Sequence, residues 1–384
     1  QERIELRGFK HETHFIASKS GYILQTIRIV NPHISPSGRA KLKPILLQHG
    51  FQGSSAAWVS AATGQLRADG TYWEDVVHRR DPNAVGNTIG FVLATSGYDV
   101  WIGNTRGNIY SANHSTLSID SKEFWDFSLD EIIREDLPAV IDYICEHTKS
   151  KKIAYIGHSQ GTTMMFGLMA TEKGVRYNHI VEPFIAMAPV CYFTNFKASE
   201  IKSLKPFKEK LFWLFPKSFG FGTFRKLPLA NLCTNDWLRG NICYRMAMKT
   251  ASVSQIDLDR VPVFIDNVFM GSSTRNLVHL LQQNHGLTYY DFGTAQQNME
   301  HYGTAVPPAY NFSQITSQSL VEIHVKHDLL LDLENIQLLK NDLKVPFAYE
   351  YQVPDETWAH TDMILGKDVG KYVNSKVLEI LKKY

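Results

Sequence analysis

The feature that most constrains this chain is a tight turn between an apolar run and a helix-forming segment. The run 153–156 (IAYI) is typical of a buried strand, and it ends in 157–161 (GHSQG), directly before the helical pattern 162–170. Gly-x-Ser-x-Gly between a strand and a helix is the pattern of a nucleophile elbow. The serine must adopt a strained backbone there, and only flanking glycines let the strand and helix approach. We therefore expect Ser159 to stand at a helix N-terminus, where the helix dipole favours developing negative charge.

A serine nucleophile needs a histidine base and an acid that orients the histidine. When the serine lies in a strand–turn–helix elbow, the acid comes after the serine in the sequence and the histidine comes last. Asp328 stands where the predicted strand 320–325 gives way to a loop, and His360 lies in the loop between the predicted strand 347–353 and the final helix. Each of these residues, like Ser159, follows the C-terminal end of a strand, where ligands bind in open α/β sheets. The sequence therefore predicts a catalytic triad.

Each triad candidate also has a structural alternative. A serine in a glycine-rich turn can serve the turn alone, and Asp328 can serve as a helix cap or a surface acid, with Asp332 as its rival. Only His360 lies in the last loop before the terminal helix. Three other histidines compete with it: His301, His324 and His327.

Acyl transfer also needs two N–H donors that hold the oxyanion. One is expected from Gln160, directly after the serine, and the other from the loop after an earlier strand. The apolar strand 44–48 leads into 49–53 (HGFQG), so the Phe51 N–H is the second candidate. The alternative is that the His-Gly pair marks a simple turn. We interpret His49 as a structural histidine that hydrogen bonds orient.

A set of specific strings occurs in order along the chain: 46–50 (LLQHG), 99–108 (DVWIGNTRGN), 124–128 (FWDFS), 157–163 (GHSQGTT) and 307–311 (PPAYN). On these strings the chain resembles the acid lipase family of α/β-hydrolases, from about residue 21 to the last helix. The resemblance implies an α/β-hydrolase fold with a mostly parallel central sheet, helices on both faces and a helical cap or lid insertion. It places the nucleophile, acid, base and both oxyanion donors on the residues already named.

Two segments depart from the family's pattern. The family's acid motif usually has glycines before the aspartate, where Lys326 and His327 stand in this chain. The family's histidine block is typically Asn-His-Leu-Asp-Phe, and here it reads AHTDM at 359–363. Both departures keep the catalytic side chain. They bear on the loop geometry and the pH optimum, because His327 adds a titrating group beside Asp328.

The strand–helix pattern is interrupted by helical, aromatic-rich sequence. We predict an α/β-hydrolase core formed by residues 1–189 and 307–384, with residues 190–306 as a cap or lid domain. Within the cap, 206–224 interleaves phenylalanines and a tryptophan with lysines. That mixture suits a lipid interface or the inner face of a helical cap, and packing is the commoner fate of aromatic residues.

Composition agrees with a compact globular enzyme, since 44% of residues are hydrophobic and 20% are charged. The net charge of +2 gives no sign of a polyanionic partner, and we predict no nucleic-acid binding. No run of 18 apolar residues occurs, so no transmembrane segment is predicted. No cluster of cysteines and histidines has metal-ligand spacing, and we predict neither a metal ion nor a cofactor.

The four cysteines divide into two groups. Cys233 and Cys243 lie ten residues apart in the predicted cap, and the resemblance supports a disulfide between them. Cys145, in a predicted helix, and Cys191, after a core strand, are expected to be buried free thiols.

Two Asn-x-Ser glycosylation sequons begin at Asn113 and Asn311. The chain also begins at Gln1 without a methionine, as a mature form does after signal-peptide removal, or as a shortened chain does. Together these features favour secretion, to the extracellular space or gut lumen, with the lysosome as the alternative.

The predicted function is a lipase that cleaves fatty-acyl esters of neutral lipids, such as triacylglycerol or steryl esters, through an acyl-enzyme on Ser159. One alternative is a carboxylesterase for short-chain or specialised esters. An alternative of another class is a catalytically silent relative that binds or stores lipid, although such relatives commonly lose the serine or the histidine. Acyl chain length, alcohol preference, pH optimum and oligomeric state are left open.

Overall fold

A computed structural model describes residues 1–193, 203–220, 234–243, 251–252, 254–265, 270–284 and 286–384. One eight-stranded sheet organises these residues. Its strands are β1 (Lys10–Ala17), β2 (Ile23–Val30), β3 (Lys43–Gln48), β4 (Tyr98–Gly103), β5 (Ile153–His158), β6 (Val181–Met187), β7 (Leu320–His324) and β8 (Tyr349–Gln352). The order across the sheet is β1-β2-β4-β3-β5-β6-β7-β8. The β1–β2 and β2–β4 pairs are antiparallel and the others are parallel, so the predicted, mostly parallel α/β sheet is confirmed.

Helices flank the sheet. Those of seven or more residues in the described ranges are α1 (Ile89–Thr95), α2 (Leu137–Thr148), α3 (Gln160–Met169), α4 (Thr274–Gln282), α5 (Ala295–Tyr302), α6 (Leu333–Asp342) and α7 (Ser375–Leu381). Shorter α-helices span Glu2–Glu5, Pro36–Arg39, Asp75–His78, Leu129–Glu131, Tyr177–Ile180, Leu211–Leu214, Asp236–Leu238, Val261–Ile265 and Asp362–Leu365. A π-helical turn, Ile132–Asp136, joins Leu129–Glu131 to α2.

The central strands are apolar on both faces because helices cover both faces. In β3, Ile45 and Leu47 contribute to one hydrophobic cluster with residues of α1 and α7. Leu46, between them, points to the other side and packs in a second cluster with residues of α2 and α3. This alternation follows from the period of two along a strand. The sheet is thus the middle layer of three.

The strand predictions made for the segments before the triad residues are confirmed: β5, β7 and β8 end close to the predicted positions. The antiparallel edge strand β1 was not predicted. Its sequence, KHETHFIA, is polar over most of its length, since only one face of an edge strand is covered. Pro138 is the second residue of α2, directly after the π-helical turn.

The described part of the predicted cap contains short helices and a two-stranded ribbon in which Ser218–Phe219 pairs with Ser272–Ser273. It has a hydrophobic cluster of its own: Leu211, Leu277, Val278, Leu281 and Tyr290. The division into a core and a cap remains a prediction. No helix in the described ranges is long and apolar enough to cross a membrane.

The cysteines lie mostly as expected. Cys145 and Cys191 are free, with Cys191 buried and Cys145 half-buried. Burial raises the pKa of the Cys145 thiol to about 11. Cys243 is buried, and Cys233 lies outside the described residues, so their pairing remains a prediction.

Candidate active site

The turn between β5 and α3 holds Ser159 in a strained conformation, with φ 55° and ψ −124°. Residues other than glycine rarely adopt these backbone angles, and such strain is common at active sites. The Ser159 N–H donates to the Met187 carbonyl at 3.0 Å, and the Ser159 carbonyl accepts the Thr162 N–H at 2.8 Å. These hydrogen bonds fix the turn between β6 and the first turn of α3, with Ser159 partly exposed.

Close backbone contacts explain both glycines of the motif. A Cβ on Gly161 would lie 2.4 Å from the Gln48 carbonyl oxygen. A Cβ on Gly157 would lie 2.7 Å from the Gly161 carbonyl carbon. The obstacles are backbone atoms that cannot rotate away, so α3 can begin this close to β3 and β5 only with glycines at these positions.

Gly161→Ala is therefore expected to destabilise the protein by about 3 kcal/mol or more and to abolish activity, because α3 must move away from β3. Urea unfolding followed by circular dichroism measures the loss. Gly97→Ala is the control, because Gly97 has φ +92° but nothing within 4 Å of its Cβ position. It should lose about 1 kcal/mol from backbone strain alone. Equal losses in the two variants would refute the steric explanation.

A buried hydrogen bond joins Asp328 to His360: the His360 Nδ1 lies 2.7 Å from the Asp328 Oδ2. The other carboxylate oxygen of Asp328, Oδ1, accepts the N–H groups of Leu330 and Leu331 at 2.7 and 3.2 Å. An N–H proton on Nδ1 leaves a lone pair on Nε2. Nε2 is buried and makes no hydrogen bond to the described residues. A general base requires this arrangement.

His158, the variable residue before the serine, holds the histidine loop. Its Nε2 lies 2.9 Å from the His360 carbonyl oxygen, and the two imidazole rings are 4.6 Å apart between centroids. Burial, together with the neighbouring His360, lowers the pKa of His158 to about 3, so its ring is neutral and donates from Nε2. The side chain thus links the elbow to the loop that carries His360. The sequence predicts no role for His158, because nothing local indicates a partner 202 residues away.

The loop after β3 passes directly beside the nucleophile. A Cβ on Gly50 would lie 2.8 Å from Ser159 Cβ and 3.3 Å from its Oγ. Gln160 is the first residue of α3, so its N–H has no acceptor within the helix. The Phe51 N–H makes no hydrogen bond to another described residue. Gln160 thus directly follows Ser159, Phe51 directly follows the residue that lies beside Ser159, and the role of both amides as oxyanion donors remains a prediction.

Comparison with known proteins identifies the family. Residues 43–356 match the α/β hydrolase fold, and residues 1–62 match the partial α/β-hydrolase lipase region. The chain is 30% identical to the lysosomal acid lipase/cholesteryl ester hydrolase of Macaca fascicularis, over 100% of this chain and 90% of that protein. The chain belongs to the acid lipase family of α/β-hydrolases. Human lipase member M is also 30% identical, over 100% and 85% of the two chains, and bovine gastric triacylglycerol lipase is 29% identical, over 99% and 90%.

Solved structures with low sequence identity share the fold of this acid lipase family member. An acetylester hydrolase from Corynebacterium glutamicum has a TM-score of 0.54 at 13% identity, covering 98% of this chain and 97% of that one. An epoxide hydrolase variant from Bacillus megaterium has a TM-score of 0.50 at 13% identity, covering 96% and 100%. Because one fold carries different reactions, this likeness concerns architecture alone.

His49 belongs to the His-Gly string after β3. Its hydrogen bonds indicate a neutral ring with a structural role. Its Nδ1 lies 2.8 Å from the Gly50 carbonyl, to which it donates, and its Nε2 accepts the Thr105 N–H at 3.3 Å. Burial lowers the pKa of His49 to about 4. The ring therefore connects the loop after β3 to the loop after β4.

Gln52, in the loop after β3, forms hydrogen bonds to residues of the predicted cap. Its backbone is left-handed, with φ 56°. Its side-chain Nε2 donates to the Phe219 carbonyl at 2.7 Å, and its own carbonyl accepts the Met270 N–H at 3.1 Å. Gln52, the residue after Phe51, is therefore held in place by two hydrogen bonds, one from its side chain and one to its carbonyl.

Asp362 likewise connects the loop that carries His360 to the predicted cap. Its buried Oδ2 accepts the Ala359 N–H at 2.7 Å and the Ser252 N–H at 2.9 Å. Ser252 lies in the predicted cap, so one carboxylate joins that region to the residue before His360. Burial raises the pKa of Asp362 to about 7, and nearby Asp328 adds to the shift.

The raised pKa of Asp362 predicts a pH dependence of stability. The folded state binds this proton more tightly than the unfolded chain, whose carboxyl pKa is near 4. The stabilisation is complete below about pH 4 and is lost as the pH rises through about 7, by about 4 kcal/mol at most. Asp362→Asn keeps a carbonyl acceptor and removes the titration, so its free energy of unfolding should fall less between pH 4.5 and 8. Urea titrations at both pH values measure this, with exposed Asp120→Asn as the control. Parallel pH dependences in wild type and Asp362→Asn would refute the prediction.

The rival residues have other contacts. Asp332 caps α6 by accepting the Glu334 N–H at 3.0 Å, and His324 forms an ion pair with Glu322 at 2.8 Å. The His301 ring stacks on Phe292 with centroids 3.7 Å apart, and the His327 side chain is exposed.

Proposed function

We propose that this chain is a lipase that cleaves fatty-acyl esters of neutral lipids, such as triacylglycerol or steryl esters, with Ser159 as nucleophile, His360 as base and Asp328 as orienting acid. The observation that carries the proposal is the buried Asp328–His360 hydrogen bond, with an unbonded His360 Nε2 and a loop held to the serine elbow by His158. The triad assignment rests on this arrangement together with family membership.

The reaction proceeds through an acyl-enzyme. Ser159 Oγ attacks the ester carbonyl carbon while His360 Nε2 takes the hydroxyl proton, and Asp328 stabilises the imidazolium that forms. The N–H groups of Phe51 and Gln160 hold the tetrahedral oxyanion, each contributing about 3 kcal/mol of barrier lowering. His360 then protonates the leaving alcohol. A water molecule repeats the sequence on the acyl-enzyme, which releases the fatty acid and regenerates Ser159.

Two observations support an apolar acyl group. A small hydrophobic cluster of Val190 and Phe193, with Leu280 and Leu330 packed against it, lies near the acid, since Leu330 follows Asp328 by two residues. Phe51 packs against the hydrophobic cluster of the predicted cap. The relatives also include a cholesteryl ester hydrolase and a triacylglycerol lipase, whose names denote neutral-lipid substrates.

Hydrolysis of short-chain and long-chain fluorogenic esters, side by side at pH 5 and pH 8, tests the proposal. Serine-dependent cleavage of the long-chain ester is the expected result, with Ser159→Ala as the inactive reference. Cleavage of the short-chain ester alone would replace the lipase with a carboxylesterase. Lipid binding without hydrolysis of either ester would favour a binding or storage protein.

We also propose that the cap region contacts the lipid surface. Trp213 is 83% exposed, and Leu214 and Phe207 are 57% and 51% exposed, on a segment that carries Lys208 and Lys210. Phe212 and Phe219 of the same segment pack against the cap cluster instead. The segment therefore has packed aromatics, and its exposed aromatics are the ones that we propose for the lipid interface. Exposed aromatics beside lysines suit an interface between water and anionic lipid.

Trp213→Ala is expected to lower activity on an emulsified long-chain ester about 5- to 30-fold, because the tryptophan contributes about 1–2 kcal/mol on entering the interface. Activity on a dissolved short-chain ester should stay within twofold, since that substrate needs no surface. Trp213→Phe should retain most of the emulsion activity. A similar loss on both substrates would argue against interfacial contact.

We propose that the protein is secreted, with the lysosome as the alternative destination, and that it carries a Cys233–Cys243 disulfide. Asn113 and Asn311 are both exposed, as glycan attachment requires. Mass mapping of unreduced peptides, before and after glycosidase treatment, tests the disulfide and both glycans in the secreted protein.

A further inference from the structure

A group of potential metal ligands lies away from the proposed active site, where the edge strand β1 meets α2. Glu12 and His14 lie two residues apart on β1 and therefore share a face, and His147 lies in the last turn of α2. One ligand atom from each residue lies within 4.8 Å of the others. The spacing of these residues in the sequence does not predict the group, because residue 147 comes close to residues 12 and 14 only in the folded chain.

His14 is the best-placed ligand. Its Nδ1 lies 2.9 Å from the Tyr143 hydroxyl, one helical turn before His147 on α2. Its Nε2 is buried, makes no hydrogen bond to the described residues, and faces the Glu12 carboxylate at 3.7 Å. In the tautomer that donates from Nδ1 to the Tyr143 hydroxyl, the Nε2 lone pair of His14 faces the Glu12 carboxylate.

In that tautomer, a cation between His14 Nε2 and the Glu12 carboxylate is bound by both groups. Metal-bound histidines usually donate their other N–H to a neighbouring oxygen, and Tyr143 supplies this oxygen for His14. Arg28 donates to Glu12 Oε2 at 2.8 Å and to Asp99 at 2.7 Å. Asp99 thereby offsets much of the guanidinium charge, and the Glu12 carboxylate keeps lone pairs for a metal. Two histidines and one carboxylate form a ligand set typical of zinc.

We propose that Glu12, His14 and His147 bind one Zn²⁺ ion, or a transition-metal ion of similar preference, and so fasten β1 to α2. Zinc ligands about 2.0–2.2 Å from the ion lie about 3.3 Å from one another, so ligand atoms that lie within 4.8 Å of one another must close by up to about 1.5 Å. The exposed His147 side chain can supply most of that movement. The remaining tetrahedral position is open to water.

Isothermal titration of the metal-free, untagged full chain with ZnCl₂ tests the site. We expect one ion per chain, with binding weakened at least tenfold in His147→Ala and in Glu12→Gln. His179→Ala is the matched control, because His179 is also exposed in the last turn of a helix and should leave binding unchanged.

Thermal unfolding provides a second measurement. Zinc should raise the Tm of wild type and of His179→Ala, but not the Tm of His147→Ala. The absence of stoichiometric binding in wild type would overturn the proposal. Binding that survives both His147→Ala and Glu12→Gln would overturn it as well, since the ion would then lie elsewhere.

Discussion

Ser159→Ala is expected to lower kcat for ester hydrolysis on the order of 10⁴- to 10⁶-fold, the range found when a nucleophilic serine is removed from a triad. The loss follows because the proposed acyl-enzyme forms on the Ser159 hydroxyl, and alanine has no hydroxyl. Residual turnover would come from substrate binding and oxyanion stabilisation alone.

The same substitution should leave the fold intact. Alanine meets the same backbone strain as serine at φ 55°, and the hydrogen bonds that hold the turn use the Ser159 backbone. The free energy of unfolding should therefore change by less than about 1 kcal/mol. Ser37→Ala, at an exposed position, is the control for both measurements. Near-normal hydrolysis by Ser159→Ala would exclude Ser159 as the nucleophile.

Asp328→Asn is expected to lower kcat on the order of 10⁴-fold with little change in KM. An asparagine amide at this position donates to His360 Nδ1, which moves the ring proton to Nε2 and removes the base. The two N–H groups of Leu330 and Leu331 would keep the side chain in place through the remaining carbonyl oxygen. The defect is therefore one of protonation rather than of folding.

Asp332→Asn is the matched control for the acid. Asp332 accepts the Glu334 N–H as a helix cap, and asparagine caps a helix about as well as aspartate. Its activity should stay within twofold of wild type. A large loss in Asp332→Asn with an active Asp328→Asn would transfer the role of the acid to Asp332.

The positions of the triad candidates could be predicted from sequence because they depend on local patterns. A strand must end before the elbow, glycines must flank the serine, and the acid and histidine must follow later strands. The contacts that Gly157 and Gly161 make across the turn show why the local string is so restrictive.

The supporting contacts could not be predicted, because each joins distant parts of the chain. Gln52 and Phe219 are 167 residues apart, and Asp362 and Ser252 are 110 residues apart. No periodicity or spacing in the sequence encodes such pairs. The roles of Gln52 and Asp362 are therefore visible only in the folded chain, where both contact residues of the predicted cap.

Covalent trapping is the measurement that tests the central claim most directly. The protein is incubated with a long-chain fluorophosphonate, and intact mass and peptide mapping locate the adduct. We expect one adduct per chain on Ser159, absent in Ser159→Ala and much slower to form in Asp328→Asn, because the serine reacts only when His360 takes its proton. An adduct on another residue, or ester hydrolysis that persists with Ser159 fully modified, would contradict the assignment of Ser159 as the nucleophile.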